Sequence, residues 1–193
     1  GPCYEDKIAR VGIRMIDLLN PEVLKEKIEK NLKIKNNLFE KYFGKPAMSF
    51  DEIYNEFLEI GKQLQDRIVD TELELNEAIR DNKNILFEGA QALMLDIDFG
   101  TYPYVTSSSP STGGVCTGAG VPPTSLQNLI GVSKAYTTRV GHGPFPTELD
   151  NELGEHIRKV GHEYGATTGR PRRTGWLDLV ALKHACMING INN

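Results

Sequence analysis

The sequence predicts an α/β fold in which an all-helical lobe over residues 1–82 precedes an α/β core over residues 83–193. Through the lobe, apolar side chains recur every three or four residues, which is the spacing of an amphipathic helix. Beyond Asn84, short apolar runs alternate with turns and further helical stretches, a pattern typical of α/β folds. We therefore expect the core to be a fragment of a larger mixed, mainly parallel sheet flanked by helices.

The lobe is predicted to contain four helices. The first covers residues 4–19, and one of its faces carries three positive charges, Lys7, Arg10 and Arg14. Such a face is usually solvated, but it also suits an anion on a neighbouring subunit. Asn20, followed by proline, is the predicted N-cap of the second helix. Ser49 and Glu52 form a capping box before the third helix, and a fourth covers residues 72–80.

The core begins with a short apolar strand predicted at residues 85–87, and a second strand is predicted at 129–132, running on toward residues 139–141. The first runs into the small turn EGAQ, which resembles the sheet edge where α/β proteins bind ligands. Residues 96–125 lack any period, and a long irregular segment of this kind is usually functional or mobile. Two further helices are predicted, at residues 152–164 and 177–188.

Composition excludes several classes of function. A net charge of −4 argues against nucleic-acid binding, which needs a broad basic surface. No apolar run is long enough to cross a membrane. The three cysteines are widely spaced, so we expect reduced thiols and a cytoplasmic protein. Asp96 and Asp98 lack further ligands at metal-binding spacing and are interpreted as turn and capping residues, so no metal site is predicted.

The strongest chemical signal is GATTGRPRRTGW at residues 165–176, where three arginines and two adjacent threonines fall in one loop. An arginine side chain offers a planar fork of donors that matches a carboxylate or phosphate. Composition alone leaves two interpretations open, a solvated basic turn and an anion-binding loop. We favour the anion, because three arginines in a short loop repel one another unless an anion is present.

Two weaker signals precede this loop. Gln91 ends the EGAQ turn and could read an amide or purine edge, although taken alone it is better explained as an ordinary turn residue. The run TYPYVTSSS at residues 101–109 contains Thr106 and could hold a phosphate. An ordinary polar loop is the alternative for this run.

Four segments taken together resemble the adenylosuccinate synthetase family. In chain order they are YEDKIARVGIR, EGAQALMLDIDFGTYPYVTSS, TTRVGHGPFPTEL and GATTGRPRRTGWLDLVAL. The resemblance implies the central portion of such an enzyme. The family's amino-terminal phosphate loop, its catalytic aspartate and histidine, and its guanine-recognising carboxyl-terminal segment are absent. We therefore expect no catalytic residue within these 193 residues, and no activity from them alone.

The resemblance also implies the reaction, a step of purine biosynthesis toward AMP. GTP would drive the ligation of IMP and L-aspartate to adenylosuccinate through a 6-phosphoryl-IMP intermediate. Mg²⁺ would assist phosphoryl transfer from ligands outside this chain, and the enzyme would be a homodimer. The alternative is a non-catalytic dimerising module whose arginine loop binds an anionic partner.

Site residues follow from the matched motifs, as what the resemblance implies. IMP would be bound by Gln91, Thr106, Val140 and Arg170, and by Arg10, which would reach the IMP of the partner subunit. Arg172 would also reach toward GTP. L-Aspartate would be bound by the loop residues Ala166, Thr167, Thr168, Gly169, Arg170, Pro171 and Arg172.

Overall fold

The computed structural model describes residues 1–165 and 169–191, and the chain divides into two compact units, Gly1–Glu74 and Leu75–Asn193. The division falls a few residues before the change in character expected between residues 82 and 83. The assignment of a helical lobe and an α/β core to 1–82 and 83–193 therefore stays a prediction.

The first unit is helical, and its core is small. Leu18, Leu24 and Ile28 are buried, and they come from a short 3₁₀ turn (Met15–Leu19) and the second helix. Partly buried side chains pack around them: Leu32, Phe50, Ile53, Tyr54, Ile60 and Ile68. The α-helices of the first unit are α1 (Pro2–Ile8), α2 (Pro21–Lys41) and α3 (Phe50–Leu64), and a fourth, α4 (Thr71–Arg80), begins in the first unit and ends in the second.

The predicted N-caps of α2 and α3 are confirmed. The Asn20 side chain accepts the Val23 amide at 3.2 Å, and the Ser49 hydroxyl accepts the Glu52 amide at 3.3 Å. Both satisfy amide groups that a helix leaves without an internal partner. These helix starts depend on residues three apart in sequence, which is why the sequence predicts them.

The first predicted helix is wrong beyond Ile8. The amides of Arg10 and Val11 donate back to carbonyls of the last turn of α1, and Arg10 adopts a left-handed conformation (φ 63°). This is a Schellman ending, with arginine where glycine is usual. Lys7, Arg10 and Arg14 therefore do not share one helical face.

The second unit contains one sheet among the described residues, formed by β1 (Tyr136–Arg139) and β2 (Arg173–Trp176). The strands are antiparallel, with Tyr136 opposite Trp176 and Arg139 opposite Arg173. This sheet brings the end of the arginine-rich segment beside the TTRVG motif.

The two strands predicted at 85–87 and 129–132 are wrong, since neither segment lies in a strand. Leu86, Ile130 and Val132 are 86%, 73% and 95% exposed. A strand needs a hydrogen-bonded neighbour, and an apolar strand also needs cover on its faces. The described part of the chain supplies neither here. The mainly parallel sheet remains a prediction, and the observed class is mixed α/β.

Three more helices complete the second unit. The segment expected to be irregular from 96 to 125 in fact contains α5 (Thr112–Ala119). The last two predicted helices exist: one begins at residue 152 as predicted, where Asn151 caps it, but ends four residues early, and the other begins two residues late because Asp178 caps it. They are α6 (Glu152–Val160) and α7 (Leu179–Asn189). None of the described helices is both long and apolar enough to cross a membrane.

Candidate functional site

The arginine-rich segment begins as a narrow antiparallel neck. The Arg172 amide donates to the Glu163 carbonyl at 2.9 Å, and the Gly165 amide donates to the Arg170 carbonyl at 2.8 Å. An isolated bridge pairs the residues between them. The neck holds the two ends of the loop together and leads directly into β2.

A buried carboxylate lies at the base of the neck. The side chain of Glu163 is only 6% exposed, and it accepts three hydrogen bonds from three parts of the chain. The donors are Lys134 Nζ at 2.7 Å, the Tyr136 hydroxyl at 2.6 Å and Arg172 Nη1 at 2.8 Å. Burial alone would raise the pKa of the Glu163 carboxyl, but these donors outweigh it and leave the pKa lowered. The group is therefore a carboxylate at neutral pH.

Arg172 is held by its main chain as well as by its side chain. Its carbonyl accepts Arg158 Nε at 2.7 Å, while its own Nη1 is used by Glu163. Its Nε is buried and has no hydrogen-bond partner among the described residues. A buried donor without a partner costs about 1–3 kcal/mol, so this guanidinium is poised for a further acceptor.

Arg173, to which the resemblance assigns no task, organises the turn after β1. Its Nε donates to Glu148 at 2.6 Å, and its Nη2 also meets that carboxylate. Its Nη1 donates to the carbonyls of Gly141 (3.1 Å) and Gly143 (3.0 Å). The hydrogen bond from Arg173 lowers the pKa of the Glu148 carboxyl. Arg173 therefore holds the RVGHG turn (residues 139–143) in place through two of its carbonyl groups.

A fourth arginine, Arg139 at the end of β1, ties the hydroxyl-rich loop to the sheet. Its Nη2 donates to Thr101 Oγ1 at 2.9 Å and to the Tyr104 carbonyl at 3.1 Å. Its Nε donates to the His142 carbonyl at 3.0 Å. Burial, and then the nearby charge of Arg173, lower the pKa of Arg139 from its ordinary value. The TTRVG motif thus positions the TYPYVTSS loop.

The same loop is organised from within by Asp96, which is fully buried. Its carboxylate accepts the amides of Asp98 (2.9 Å), Phe99 (3.2 Å) and Ser111 (3.1 Å). Burial would raise the pKa of the Asp96 carboxyl, but the amide donors outweigh it and lower the pKa. The interpretation of Asp96 as a turn residue agrees with these contacts, which also join two distant segments.

Gln91 is hydrogen-bonded to the loop that contains Thr106. The Ser108 hydroxyl donates to Gln91 Oε1 at 3.2 Å, and the Thr106 amide donates to the Leu95 carbonyl at 2.8 Å. Gln91 is exposed and left-handed (φ 70°). The structure therefore brings two of the residues assigned to IMP onto one hydrogen-bonded loop.

Arg170 lies beside the turn that follows Val140. Arg170 Nη1 is 3.9 Å from the position that a Cβ would take on Gly141, the residue after Val140. Val140 is 54% exposed and Arg170 is exposed. A guanidinium beside a turn that carries an exposed apolar side chain suits a ligand with an anionic group and a sugar ring.

The remaining predicted residues are placed as follows. Gly169 is left-handed (φ 64°) and exposed, and Pro171 is exposed. Arg10 is exposed in the first unit. Ala166, Thr167 and Thr168 lie outside the described residues. Within residues 1–165 and 169–191, no group of three or more His, Cys, Asp or Glu side chains could hold a metal ion.

Sequence reasoning missed Glu163 and Arg139. The donors to Glu163 are 9, 27 and 29 residues away along the chain, and Arg139 reaches a threonine 38 residues away. No local spacing can reveal such pairs. Only their place in the sequence points to a role in the site. Glu163 lies two residues before the arginine loop, and Arg139 lies in the TTRVGHGPFPTEL motif.

Comparison with known proteins identifies the family. The family model for adenylosuccinate synthetase matches residues 1–193. Adenylosuccinate synthetase of Limosilactobacillus fermentum is 55% identical over 191 residues, which are 99% of this chain and 44% of the relative. The synthetase of Thermodesulfovibrio yellowstonii is 58% identical over 190 residues, 98% of this chain and 45% of the relative.

Comparison with solved structures gives the same family. The fully ligated adenylosuccinate synthetase from Plasmodium falciparum is 46% identical with a TM-score of 0.92, over 99% of this chain and 44% of that one. Succinoaminodeoxyadenylate synthetase of cyanophage S-2L shares the fold, with a TM-score of 0.55 and 24% identity over 68% of this chain and 42% of that one. The chain thus spans less than half the length of the proteins it matches. It belongs to the adenylosuccinate synthetase family.

Proposed function

We propose that the chain is the central part of an adenylosuccinate synthetase, a longer polypeptide that joins IMP and L-aspartate at the expense of GTP. The observation that carries the proposal is the convergence of the TYPYVTSS loop, the RVGHG turn and the arginine loop. Arg139 and Arg173 tie these three segments together by hydrogen bonds of 2.9–3.1 Å. Family membership over the whole chain supports the same activity.

In this proposal the IMP phosphate meets Thr106, the base or ribose region meets Gln91, and the ribose lies against Val140. L-Aspartate, with two carboxylates, is bound by the loop 166–172, in which Arg170 serves both aspartate and IMP. The surface formed by Arg170 and the 140–141 turn supports that double role.

Arg172 is proposed to reach GTP. Its buried, unpartnered Nε supports a further acceptor there, although its Nη1 is already used by Glu163. An anion that approaches Arg172 would therefore add to an existing ion pair instead of binding a free cation.

The proposal assigns the phosphate loop, the catalytic base and the magnesium ligands to parts of the polypeptide outside this chain. The described residues offer no carboxylate cluster that fits Mg²⁺, so none is assigned to it here. The enzyme would act in the cytoplasm as a homodimer, with Arg10 of each subunit reaching the partner's IMP. The exposed side chain of Arg10 supports this role, because a residue that reaches a neighbouring subunit's ligand must be accessible.

The test is Arg170→Ala in the full-length polypeptide, with Arg67→Ala as control, an exposed arginine of the first unit. Loss of a bidentate carboxylate contact should lower kcat/KM for L-aspartate by about 30- to 1000-fold, corresponding to roughly 2–4 kcal/mol. The control should retain wild-type kinetics. A wild-type full-length protein that forms no adenylosuccinate would favour the non-catalytic module.

A second assay addresses the chain by itself. We expect the isolated 193 residues to form no adenylosuccinate, because the proposed base and nucleotide loop lie elsewhere. Product formation by the purified segment, detected by absorbance or chromatography, would contradict this division of the site.

A further inference from the structure

We propose that Glu163 is a positioning residue of the arginine loop, the internal counter-anion that sets the orientation of Arg172 and the register of the neck. The inference rests on the proposed function for the identity of the ligands, and on the geometry for the role itself. Glu163 carries none of the ligand contacts that the family motifs assign. It acts through the residues around it.

The first argument is the convergence of donors on one carboxylate. Oε1 accepts Lys134 Nζ and the Tyr136 hydroxyl, while Oε2 accepts Arg172 Nη1. Both oxygens are thus used, on a side chain that is 6% exposed. A carboxylate in this position joins the segment before β1, β1 itself and the far end of the arginine loop.

The second argument is that Glu163 and Arg172 are joined twice. Besides the side-chain ion pair, the Arg172 amide donates to the Glu163 carbonyl at 2.9 Å. A main-chain hydrogen bond and a side-chain ion pair therefore both hold Glu163 and Arg172 together at the base of the loop. A shift of Arg172 by one residue along the neck would break both links at once.

The third argument is electrostatic. Lys134 and Arg172 both direct a cation at Glu163, and without its charge the exposed Lys134 and the half-buried Arg172 would face each other across a neutral group. Since Arg172 is also the residue with a buried, unpartnered Nε, it has no other described side-chain acceptor to hold it. Charge on Glu163 is therefore required to keep Arg172 in place before an anionic ligand arrives.

The test is Glu163→Gln in the full-length polypeptide, an isosteric change that removes the charge. We expect the KM for L-aspartate to rise tenfold or more while kcat changes less than threefold, because the loop is mispositioned but the chemistry is intact. If Glu163 served only to stabilise the fold, the variant would contain less active enzyme. The apparent kcat, calculated per total protein, would then fall while KM stayed unchanged. The control is Glu77→Gln, which removes an exposed ion pair with Arg80 and should leave both constants unchanged.

A KM within twofold of wild type would overturn the inference. If Glu163→Gln does not fold, Tyr136→Phe decides the matter, because it removes only the 2.6 Å hydrogen bond to Glu163. A KM for L-aspartate raised at least twofold in Tyr136→Phe supports the inference, and an unchanged KM refutes it.

Amide hydrogen exchange separates this inference from the proposed function. In Glu163→Gln the Arg172 amide should exchange at least tenfold faster than in wild type, whether or not the protein turns over IMP. If the wild-type full-length protein has no synthetase activity but the Arg172 amide exchanges faster in Glu163→Gln, the proposed function is wrong and the anchoring role of Glu163 stands. If the wild type is active but Glu163→Gln changes neither the exchange of the Arg172 amide nor the KM for L-aspartate, the proposed function stands and the anchoring role is refuted.

Discussion

Asp96→Asn isolates the energetic role of a buried carboxylate in the TYPYVTSS loop. Asp96 is 0% exposed and accepts three main-chain amides, two on Oδ1 and one on Oδ2. Asparagine has the same shape but only one acceptor oxygen. If that oxygen keeps the amides of Asp98 and Phe99, the new NH₂ group faces the amide of Ser111, and two donors oppose each other.

The magnitude follows from these contacts. The variant loses one hydrogen bond to a charged acceptor, about 1.5–3 kcal/mol, and leaves a buried donor unsatisfied. We expect the free energy of unfolding to fall by about 2–4 kcal/mol in total. Asp81→Asn is the matched control, because Asp81 is exposed in the turn after α4 and should change stability by at most about 0.5 kcal/mol.

Chemical denaturation of both variants gives the free energies, and hydrogen exchange at the Thr106 amide shows whether the loss is local. That amide donates to Leu95 within the loop that Asp96 organises, so it should exchange faster in Asp96→Asn. Equal stability in the two variants would refute the claim that the carboxylate, and not merely the side-chain shape, holds the loop.

Two further predictions concern packing and pH. A Cβ on Gly61 would lie 2.5 Å from the Leu18 carbonyl oxygen, so Gly61→Ala should lower the unfolding midpoint. The control is Gly113→Ala in α5, where the nearest atom to an added Cβ is 4.0 Å away. This variant should leave the midpoint unchanged or raise it, because alanine favours a helix more than glycine does. Arg173 lowers the pKa of Glu148, so their pair stabilises the fold above the ordinary pKa of 4.5 and loses that contribution as pH falls through the lowered folded-state value. Thermal unfolding from pH 7 to pH 3 should show a smaller acid loss in Glu148→Gln, and parallel curves would contradict the assignment.

Sequence reasoning succeeded where the interactions are local. The caps by Asn20 and Ser49 were predictable because the acceptor and the amide are three residues apart. The helical character of the first unit follows from apolar spacing along one segment. The four family motifs identified the family for the same reason, since each motif is a contiguous run of residues.

The predictions failed where an outcome depends on partners elsewhere in the chain. The run at 85–87 has the composition of a buried strand, but a strand exists only beside another strand, and none is present there in the described residues. The first helix fails at Arg10 because main-chain hydrogen bonds close its end, with arginine in a conformation that glycine usually adopts.

The sequence by itself determined the family, the starts of α2 and α3 and the residues that we propose to meet the ligands. Only the tertiary structure decided how those residues are held. Glu163 finds its donors up to 29 residues away, and Arg139 reaches Thr101 across 38 residues. The physical reason is that a buried charge must find partners in space, and the chain folding back on itself, not the spacing of residues along it, determines which partners lie near.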